Sequence, residues 1–295
     1  MAPRDEKVKV GFVGLGRMGT AIAGRLADAG YDLAVWNRTA GKDADLVKRG
    51  AVSSETLHAA CSGREVVMSM LADDEALRAT ASGISAALGD GAIHVAMGTH
   101  SVAAITEVAD THASAGQSLV AAPVLGRPDA AAAGQLGIVA GGPPEAVDFC
   151  LPLFEVFGRR TFEAGPRAES ASAIKLTNNF VLGSAIETLA EAFGLSSHYE
   201  VEREVLYDVL TDGLFSAPAY KIYGQLIADE NYDNAGFTTK LGLKDIGLVL
   251  EAAGDSVAMP TAEVLKQRLE SAIAHDDGDR DWSVLGREQE RASRK

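Results

Sequence analysis

Apolar residues in the first 165 positions alternate between short runs and longer stretches with helical spacing. A short apolar run bounded by polar or glycine residues is typical of a buried strand, and apolar residues three and four apart are typical of a helix. We therefore predict a doubly wound sheet with helices between its strands. The predicted strands span residues 8–13, 32–36, 65–71, 92–97, 118–124, 136–140 and 157–162, with a helix at about 145–157.

From residue 166 onward the spacing is helical, without a strand-like run. Apolar residues cover nearly the whole circumference of the first helix, so we expect that helix to be mostly buried. We predict the fold class α/β, with a Rossmann domain at 1–165 followed by an all-helical domain at 166–295. The predicted helices of the second domain span 167–197, 202–214, 216–229, 238–253 and 260–274, and the charged tail after Trp282 is predicted to be frayed.

Three glycines, Gly14, Gly16 and Gly19, form a G-x-G-x-x-G motif between the first strand and the first helix. The first glycine permits the tight turn, the second lets a pyrophosphate approach the backbone, and the third lets the helix pack on the sheet. The free N–H groups and dipole of that helix face the anion. The motif predicts a dinucleotide site that also includes Leu15, Arg17 and Met18.

The residues after the second strand indicate which dinucleotide binds. A site for NAD normally has an acid there, which accepts hydrogen bonds from the ribose, whereas this chain has Asn37, Arg38 and Thr39. An acid would repel a 2′-phosphate, and Arg38 would attract it, with Lys42 as a possible helper. The alternative is that Arg38 is only a solvated charge at a strand end. We predict that NADPH is preferred over NADH.

The composition of the chain limits the classes of molecule that it is expected to bind. The chain has 295 residues, a formal net charge of −14 and a pI near 4.9, which argues against nucleic acid or a membrane surface as partner. Cys61 and Cys150 lack the spacing of a disulfide framework or a metal site and fit a reducing compartment. No apolar run suggests a signal core or a membrane span, so we expect a cytoplasmic protein that acts on a small molecule.

In the helix that begins the second domain, Lys175, Asn178 and Asn179 fall on one face. An ammonium among apolar residues has to find a partner or reach water, because burying it alone is costly. We expect Lys175 to face a cleft. The alternative is a lysine that reaches the surface beside two asparagines.

Four motifs together resemble the β-hydroxyacid dehydrogenases, the group of 3-hydroxyisobutyrate dehydrogenase and glyoxylate/succinic semialdehyde reductases. They are G-F-V-G-L-G-R-M-G at 11–19, A-M-G-T at 96–99, A-P-V-L-G-R-P-D-A-A-A-A-G at 122–134 and K-L-T-N-N at 175–179, and the resemblance covers nearly the whole chain. It implies hydride transfer between a nicotinamide and a small carbonyl compound, with Lys175 as acid/base and Asn179 orienting the substrate. It also implies a homodimer formed through the helical domain.

The resemblance assigns further residues. Phe237 and Asp245 are expected to line the substrate pocket with Thr99, Leu125 and Gly126. Leu71, Thr99 and Lys244 are expected to contact the cofactor. No metal is expected in this mechanism.

Two departures leave the substrate open. Where the family has the loop P-V-S-G-G, this chain has Leu125 in place of the serine. Where the family has a Ser-Thr pair, this chain has Gly98-Thr99. Leu125 offers no hydroxyl to a carboxylate, so Arg127, Thr99 or backbone groups would bind it, or the pocket suits a less polar carbonyl compound. Arg127 is equally readable as a surface charge. We expect His100 to face solvent, because no two of the six histidines have the spacing of metal ligands. We expect the acids at 73–75 to cap a helix.

Two other functions compete with this interpretation. Imine reductases share the fold and the W-N-R-T stretch at 36–39, but typically have Asp or Tyr at the position of Lys175. A non-catalytic, dehydrogenase-like assembly module is typically without the lysine and carries extra basic domains. Lys175 and the negative net charge therefore favour a dehydrogenase or reductase.

Overall fold

The computed structural model describes residues 7–293, which divide into two compact units. Residues up to Lys175 form the first unit, and residues from Leu176 on form the second. The first unit is built on a single sheet with helices on both faces, and the second unit consists of helices. The predicted fold class is confirmed.

The sheet of the first unit has the strand order β3-β2-β1-β4-β5-β6-β8-β7, with β9 also paired to β8. Strands β1 to β6 are mutually parallel where they pair, while β8 runs antiparallel to β6 and β7. The chain order reverses between β1 and β4, which is where doubly wound sheets bind their ligands. The strands are β1 (Lys9–Val13), β2 (Asp32–Trp36), β3 (Val52–Ser53), β4 (Val66–Ser69), β5 (Ile93–Ala96), β6 (Ser118–Ala121), β7 (Val124–Leu125), β8 (Leu136–Gly141) and β9 (Gly158–Gly165).

Clusters of apolar side chains cover both faces of this sheet. Val10 and Phe12 point to the face covered by the first helix, and Val13 points to the opposite face. The alternation follows from the two-residue period of a strand. The helices of this unit are α1 (Arg17–Asp28), α2 (Ala44–Lys48), α3 (Leu57–Cys61), α4 (Asp74–Ala87), α5 (Val102–Ser114), α6 (Pro128–Ala132) and α7 (Pro144–Phe157).

The predicted strand at 118–124 is in fact two strands, β6 and β7. Pro123 lies between them and has no N–H to donate to a neighbouring strand, although its carbonyl accepts from Val139 N at 3.0 Å. The chain turns here, so β7 pairs antiparallel with β8. The short elements β3, α2, α3 and α6 were not predicted, since two to five residues carry too little periodicity.

The helices of the second unit match the predicted ones to within two residues at each end. The long helix α8 starts in the first unit and continues through the second. The expectation that it is buried almost all round is wrong for the single chain, because Val181 is 60% exposed and Leu195 is 64% exposed. These helices are α8 (Ala168–His198), α9 (Arg203–Asp212), α10 (Pro218–Ala228), α11 (Thr239–Ala253) and α12 (Pro260–Ala274).

The charged tail is ordered as far as residue 293, contrary to the prediction that it frays. A 3₁₀ turn (Trp282–Val284) leads into helix α13 (Leu285–Ser293). Its charges are paired, since the Arg287 and Arg291 guanidiniums contact Asp277 at 3.1 and 2.8 Å. A composition-based prediction misses this helix because its partners lie elsewhere in the sequence. Residues 294 and 295 lie outside the described residues.

Among residues 7–293, no helix combines the length and the apolar character that crossing a lipid bilayer requires. The two cysteines, Cys61 and Cys150, are free and buried. Burial raises the pKa of each thiol to about 12.

Candidate active site

The glycine loop between β1 and α1 has the geometry that the motif predicts. Gly14 adopts φ +95°, and its N–H donates to the Trp36 carbonyl at 3.0 Å, which ties the loop to the end of β2. A Cβ on Gly19 would overlap the Gly14 carbonyl oxygen, so only glycine permits this approach of α1 to the loop. A Cβ on Gly16 would meet nothing within 4 Å, so the backbone there is uncovered. The loop therefore fits a pyrophosphate at the start of α1.

Asn37, at the end of β2, is hydrogen-bonded on both sides of its amide. Its Oδ1 accepts from Leu15 N at 2.8 Å, and its Nδ2 donates to the Thr39 carbonyl at 2.9 Å. Arg38 is exposed, and no described residue forms a hydrogen bond or ion pair with its guanidinium. This arrangement leaves a cation beside the glycine loop, and the structure places no acid at position 37 or 38.

The loops that follow β4 and β5 carry Leu71 and Thr99, and both residues are partly buried. The next residue after Thr99 corrects an expectation, because His100 is only 1% exposed and does not face solvent. Its Nδ1 lies 3.2 Å from Oδ1 of Asp74, at the start of α4. Asp73 caps α4 as predicted, by accepting from Ala76 N at 2.8 Å, but the neighbouring Asp74 serves a different purpose.

Lys175, on α8, is partly buried, and its Nζ donates to the Val124 carbonyl at 3.0 Å. Val124 belongs to the short strand β7, which continues into Leu125 and Gly126. The contact links the proposed acid/base to the loop that the family resemblance assigns to the substrate. Position 127 follows directly: the Arg127 side chain is partly buried, and no described residue pairs with its guanidinium.

In the second unit, Asn179 joins a chain of polar groups. Its Nδ2 donates to Oδ2 of Asp245 at 2.6 Å, and its Oδ1 accepts from Asn178 at 3.1 Å. Oδ1 of Asp245 lies 3.0 Å from the Lys244 ammonium, which is 26% exposed. Asp245 is only 1% exposed, so it contacts Asn179 and Lys244 rather than solvent. Phe237 packs on Trp282 with ring centroids 4.8 Å apart.

Sequence reasoning did not predict the contacts that support several of these side chains. The role of Asp74 was hidden, because an acid in the first turn of a helix is usually explained by the helix dipole alone. The contact of Lys175 with a backbone carbonyl leaves no sequence signal. Within the described residues, no group of three or more His, Cys, Asp or Glu side chains is arranged to hold a metal ion.

A glycine loop at the switch point of a doubly wound sheet, followed by a helical unit, defines the class of NAD(P)-dependent oxidoreductases. Residues 9–165 match the family model for the NAD binding domain of 6-phosphogluconate dehydrogenase. Residues 170–287 match the family model described as NAD-binding of NADP-dependent 3-hydroxyisobutyrate dehydrogenase. The chain is 39% identical to the uncharacterized oxidoreductase YfjR of Bacillus subtilis, over 94% of this chain and 98% of that protein. The chain belongs to the β-hydroxyacid dehydrogenase family, and it is an NAD(P)-dependent enzyme acting on CH–OH groups.

Two further relatives have named activities. Glyoxylate/succinic semialdehyde reductase 2 of Arabidopsis thaliana is 31% identical, over 96% of this chain and 80% of that protein. The structure of 3-hydroxyisobutyrate dehydrogenase from Mycobacterium tuberculosis, solved with L-serine, superposes with a TM-score of 0.88 at 25% identity, over 95% of this chain and 98% of that one. Both agree with an enzyme that acts on small substrates.

Proposed function

We propose that this enzyme uses NADPH to reduce a small carbonyl compound, an aldehyde, a semialdehyde or the oxidised form of a 3-hydroxy acid, with Lys175 as the acid/base. The observation that carries the proposal is the hydrogen bond from Lys175 Nζ to the Val124 carbonyl. An ammonium is a strong hydrogen-bond donor, and this bond orients it toward the loop that carries Leu125 and Gly126. Support for the substrate class comes from the relatives named as glyoxylate/succinic semialdehyde reductases.

The residues of the first unit have distinct tasks in this proposal. The loop from Gly14 to Gly19 holds the pyrophosphate, and Arg38 holds the 2′-phosphate. The bound cofactor supplies the hydride. As the carbonyl carbon is reduced, negative charge develops on its oxygen, and the Lys175 ammonium stabilises that charge and donates a proton to it. In the reverse direction the same nitrogen accepts the proton from the alcohol.

The residues of the second unit support binding. Asn179, fixed by Asp245, presents its amide in one orientation, and we propose that it orients the substrate. The Lys244 ammonium, next to Asp245, is proposed to meet the cofactor. We further propose that the protein is a homodimer and acts in the cytoplasm, where its free cysteines stay reduced.

The test is a panel of glyoxylate, succinic semialdehyde, neutral aldehydes and cyclic imines, with NADPH and NADH. We expect Lys175→Ala to lower kcat by about 10²- to 10⁴-fold, the contribution of a positioned acid or base. The matched control is Lys221→Ala, which removes an exposed lysine of α10 and should leave kcat unchanged. The dissociation constant of NADPH should stay within about threefold, since its phosphates are bound elsewhere. Lys175→Ala with a rate within tenfold of wild type would remove Lys175 from the mechanism.

A further inference from the structure

His100 is a buried histidine between two loops of the first unit. Its side chain is inaccessible to solvent, and its ring lies between the loop after β5, to which it belongs, and the start of α4. The ionised carboxylate of Asp74 accepts hydrogen bonds and cannot donate them. The nitrogen that faces it, Nδ1 of His100, therefore carries the proton. The opposite nitrogen, Nε2, is buried and has no hydrogen-bond partner among the described residues. A buried polar atom without a partner costs stability and calls for an explanation.

Nε2 faces the backbone of Gly98. A Cβ on Gly98 would overlap both Nε2 of His100 and the carbonyl oxygen of Leu71. The imidazole and the Leu71 carbonyl therefore both pack against Gly98, on the side where another residue would carry its Cβ. The imidazole fills space beside the Gly98 backbone, next to the loop after β4.

Asp74 completes the connection. The same oxygen, Oδ1, accepts from His100 Nδ1 at 3.2 Å and from the Ser101 backbone N–H at 3.0 Å. Burial of the carboxyl group acts to raise its pKa, but the hydrogen bonds from His100 and Ser101 outweigh burial and hold the pKa of Asp74 well below its ordinary value. One charged group therefore holds two consecutive residues that directly follow Thr99.

Both loops follow strands on the same side of the switch point. Strands β4 and β5 lie beyond β1, opposite to β2, whose end carries Asn37 and Arg38. A doubly wound sheet divides a dinucleotide between two such halves, so the adenosine half lies near β2 and the nicotinamide half near β4 and β5. Leu71 and Thr99 therefore belong to the nicotinamide side.

We propose that Asp74 and His100 are positioning residues that lock the Thr99 loop against the Leu71 loop and thereby set the site of the nicotinamide half. The proposal rests on the proposed function in one respect, that NADPH is the cofactor. It predicts that breaking the contact between Asp74 and His100 weakens the binding of the nicotinamide half of the cofactor and not that of the adenosine half. The adenosine end should keep its affinity, because a doubly wound sheet is expected to bind it on the β2 side of the switch point, opposite to these two loops.

The experiment compares the binding of NADPH with that of adenosine 2′,5′-bisphosphate, a fragment without the nicotinamide. We expect His100→Leu to weaken NADPH about tenfold, the scale of one hydrogen bond to a charged group, and to leave the fragment within about twofold. His100→Asn should retain most NADPH affinity, since its amide replaces the Nδ1 donor. Asp74→Ala should reproduce the loss, and Asp74→Asn should largely rescue it, because its amide oxygen still accepts.

Thr56→Ala is the matched control. It removes the hydroxyl that caps α3 by accepting from Ala59 N at 3.1 Å, and it leaves the hydrogen bonds of Asp74 and His100 in place. This variant should lower thermal stability without changing the ratio of the two affinities. Equal losses of NADPH and fragment in His100→Leu, or no loss of either, would overturn the positioning role. Wild-type binding of NADPH without turnover of any carbonyl would refute the proposed reaction and leave this test intact, whereas no binding of NADPH would refute both.

Discussion

Nδ1 of His94 lies 2.8 Å from Nε2 of His112, and both side chains are fully buried in the first unit. The direction of this hydrogen bond is fixed by Gln117. Its amide nitrogen donates to two backbone carbonyls, so its oxygen accepts from His112 Nδ1 at 2.7 Å. Nε2 of His112 is then an acceptor for His94, whose own Nε2 accepts from the Ser69 hydroxyl at 2.8 Å. Each imidazole is neutral and has one fixed tautomer.

This arrangement predicts a loss of stability in mild acid. Burial lowers the pKa of His94 well below its ordinary value and also lowers the pKa of His112. In the unfolded chain both titrate at about pH 6.5, so below that pH the unfolded state binds more protons than the folded state. The free energy of unfolding should therefore fall as pH drops below about 6.5, by at most about 1.4 kcal/mol per pH unit for each histidine. Above about pH 7 the pair should cause no slope.

Urea unfolding midpoints between about pH 5.5 and 7.5 measure this slope, in a range where the carboxylates remain ionised. The double variant His94→Leu/His112→Leu should lose most of the slope, even if its stability at neutral pH is lower. His58→Leu, which removes an exposed histidine, should keep the slope of wild type. A double variant with an unchanged slope would mean that other groups titrate in this range.

The histidine pair shows how much of this structure could be predicted from the sequence. The apolar alternation predicted the strand that contains His94 and a helix between that strand and the next, because burial in such elements has a period. Nothing in a separation of 18 residues indicates that their rings meet. The same limit explains the error at His100, whose buried imidazole meets Asp74, an acid 26 residues earlier at the start of α4. The glycine loop was predictable because its chemistry is local, while the support of Lys175 by a carbonyl 51 residues away was not.

The proposed preference for NADPH over NADH is argued from Asn37 and Arg38. Arg38→Ala should weaken NADPH binding about ten- to a hundredfold, the effect of losing a charge-assisted hydrogen bond of roughly 1.5–3 kcal/mol to the 2′-phosphate. NADH has no phosphate there and should bind nearly as before. The measurement is kcat/KM with both cofactors at one fixed ionic strength, because salt screens phosphate contacts.

Asn37→Asp is the complementary variant. An aspartate keeps the acceptor that holds Leu15 N and loses the donor to the Thr39 carbonyl, so the glycine loop should stay in place while the turn at 37–39 loosens. Its charge should repel the 2′-phosphate and favour NADH. Lys42→Ala, which removes a nearby exposed cation, should have a smaller effect than Arg38→Ala. Equal losses with both cofactors in Arg38→Ala would show that Arg38 supports the fold or the adenine instead.

Leu125 should make 3-hydroxy acids poorer substrates than short aldehydes or semialdehydes. It lies at the position where the family has a serine, and its side chain packs beside Gly137 of β8, to which it is paired. A hydroxyl here would give a carboxylate one more donor. Leu125→Ser should raise kcat/KM for 3-hydroxy acids by about ten- to a hundredfold, on the scale where about 1.36 kcal/mol is tenfold.

Leu125→Ala is the control for this gain, because it removes the same bulk without adding a donor. It should leave the acids poor substrates. If Leu125→Ser brings no gain, the carboxylate is already bound by another group, and the guanidinium of Arg127, which pairs with no described residue, is the first to examine. Arg127→Ala would then raise KM for the acids and leave KM for neutral aldehydes unchanged.

The exposed apolar residues of the second unit predict a homodimer. Val181 and Leu195 lie 14 residues apart, nearly four turns, on one side of α8, and Val205 and Val209 of α9 are 54% and 67% exposed. A groove of about 360 Å³ is lined by Val181 and by further side chains that are mostly apolar, among them Phe180 and Phe215. Monomeric proteins rarely expose a large contiguous apolar surface, so we expect a second copy of the chain to cover this face.

Light scattering should give twice the chain mass of 30.7 kDa at micromolar concentration. Val181→Asp should shift wild-type dimer to monomer, because an interface related by a two-fold axis receives the new charge twice. The matched control is Val47→Asp, which places the same charge on an exposed valine of α2 in the first unit and should leave the dimer intact. Circular dichroism should show both variants folded. A monomeric wild type, or a Val181→Asp variant that stays dimeric, would mean that this face is not where the copies meet.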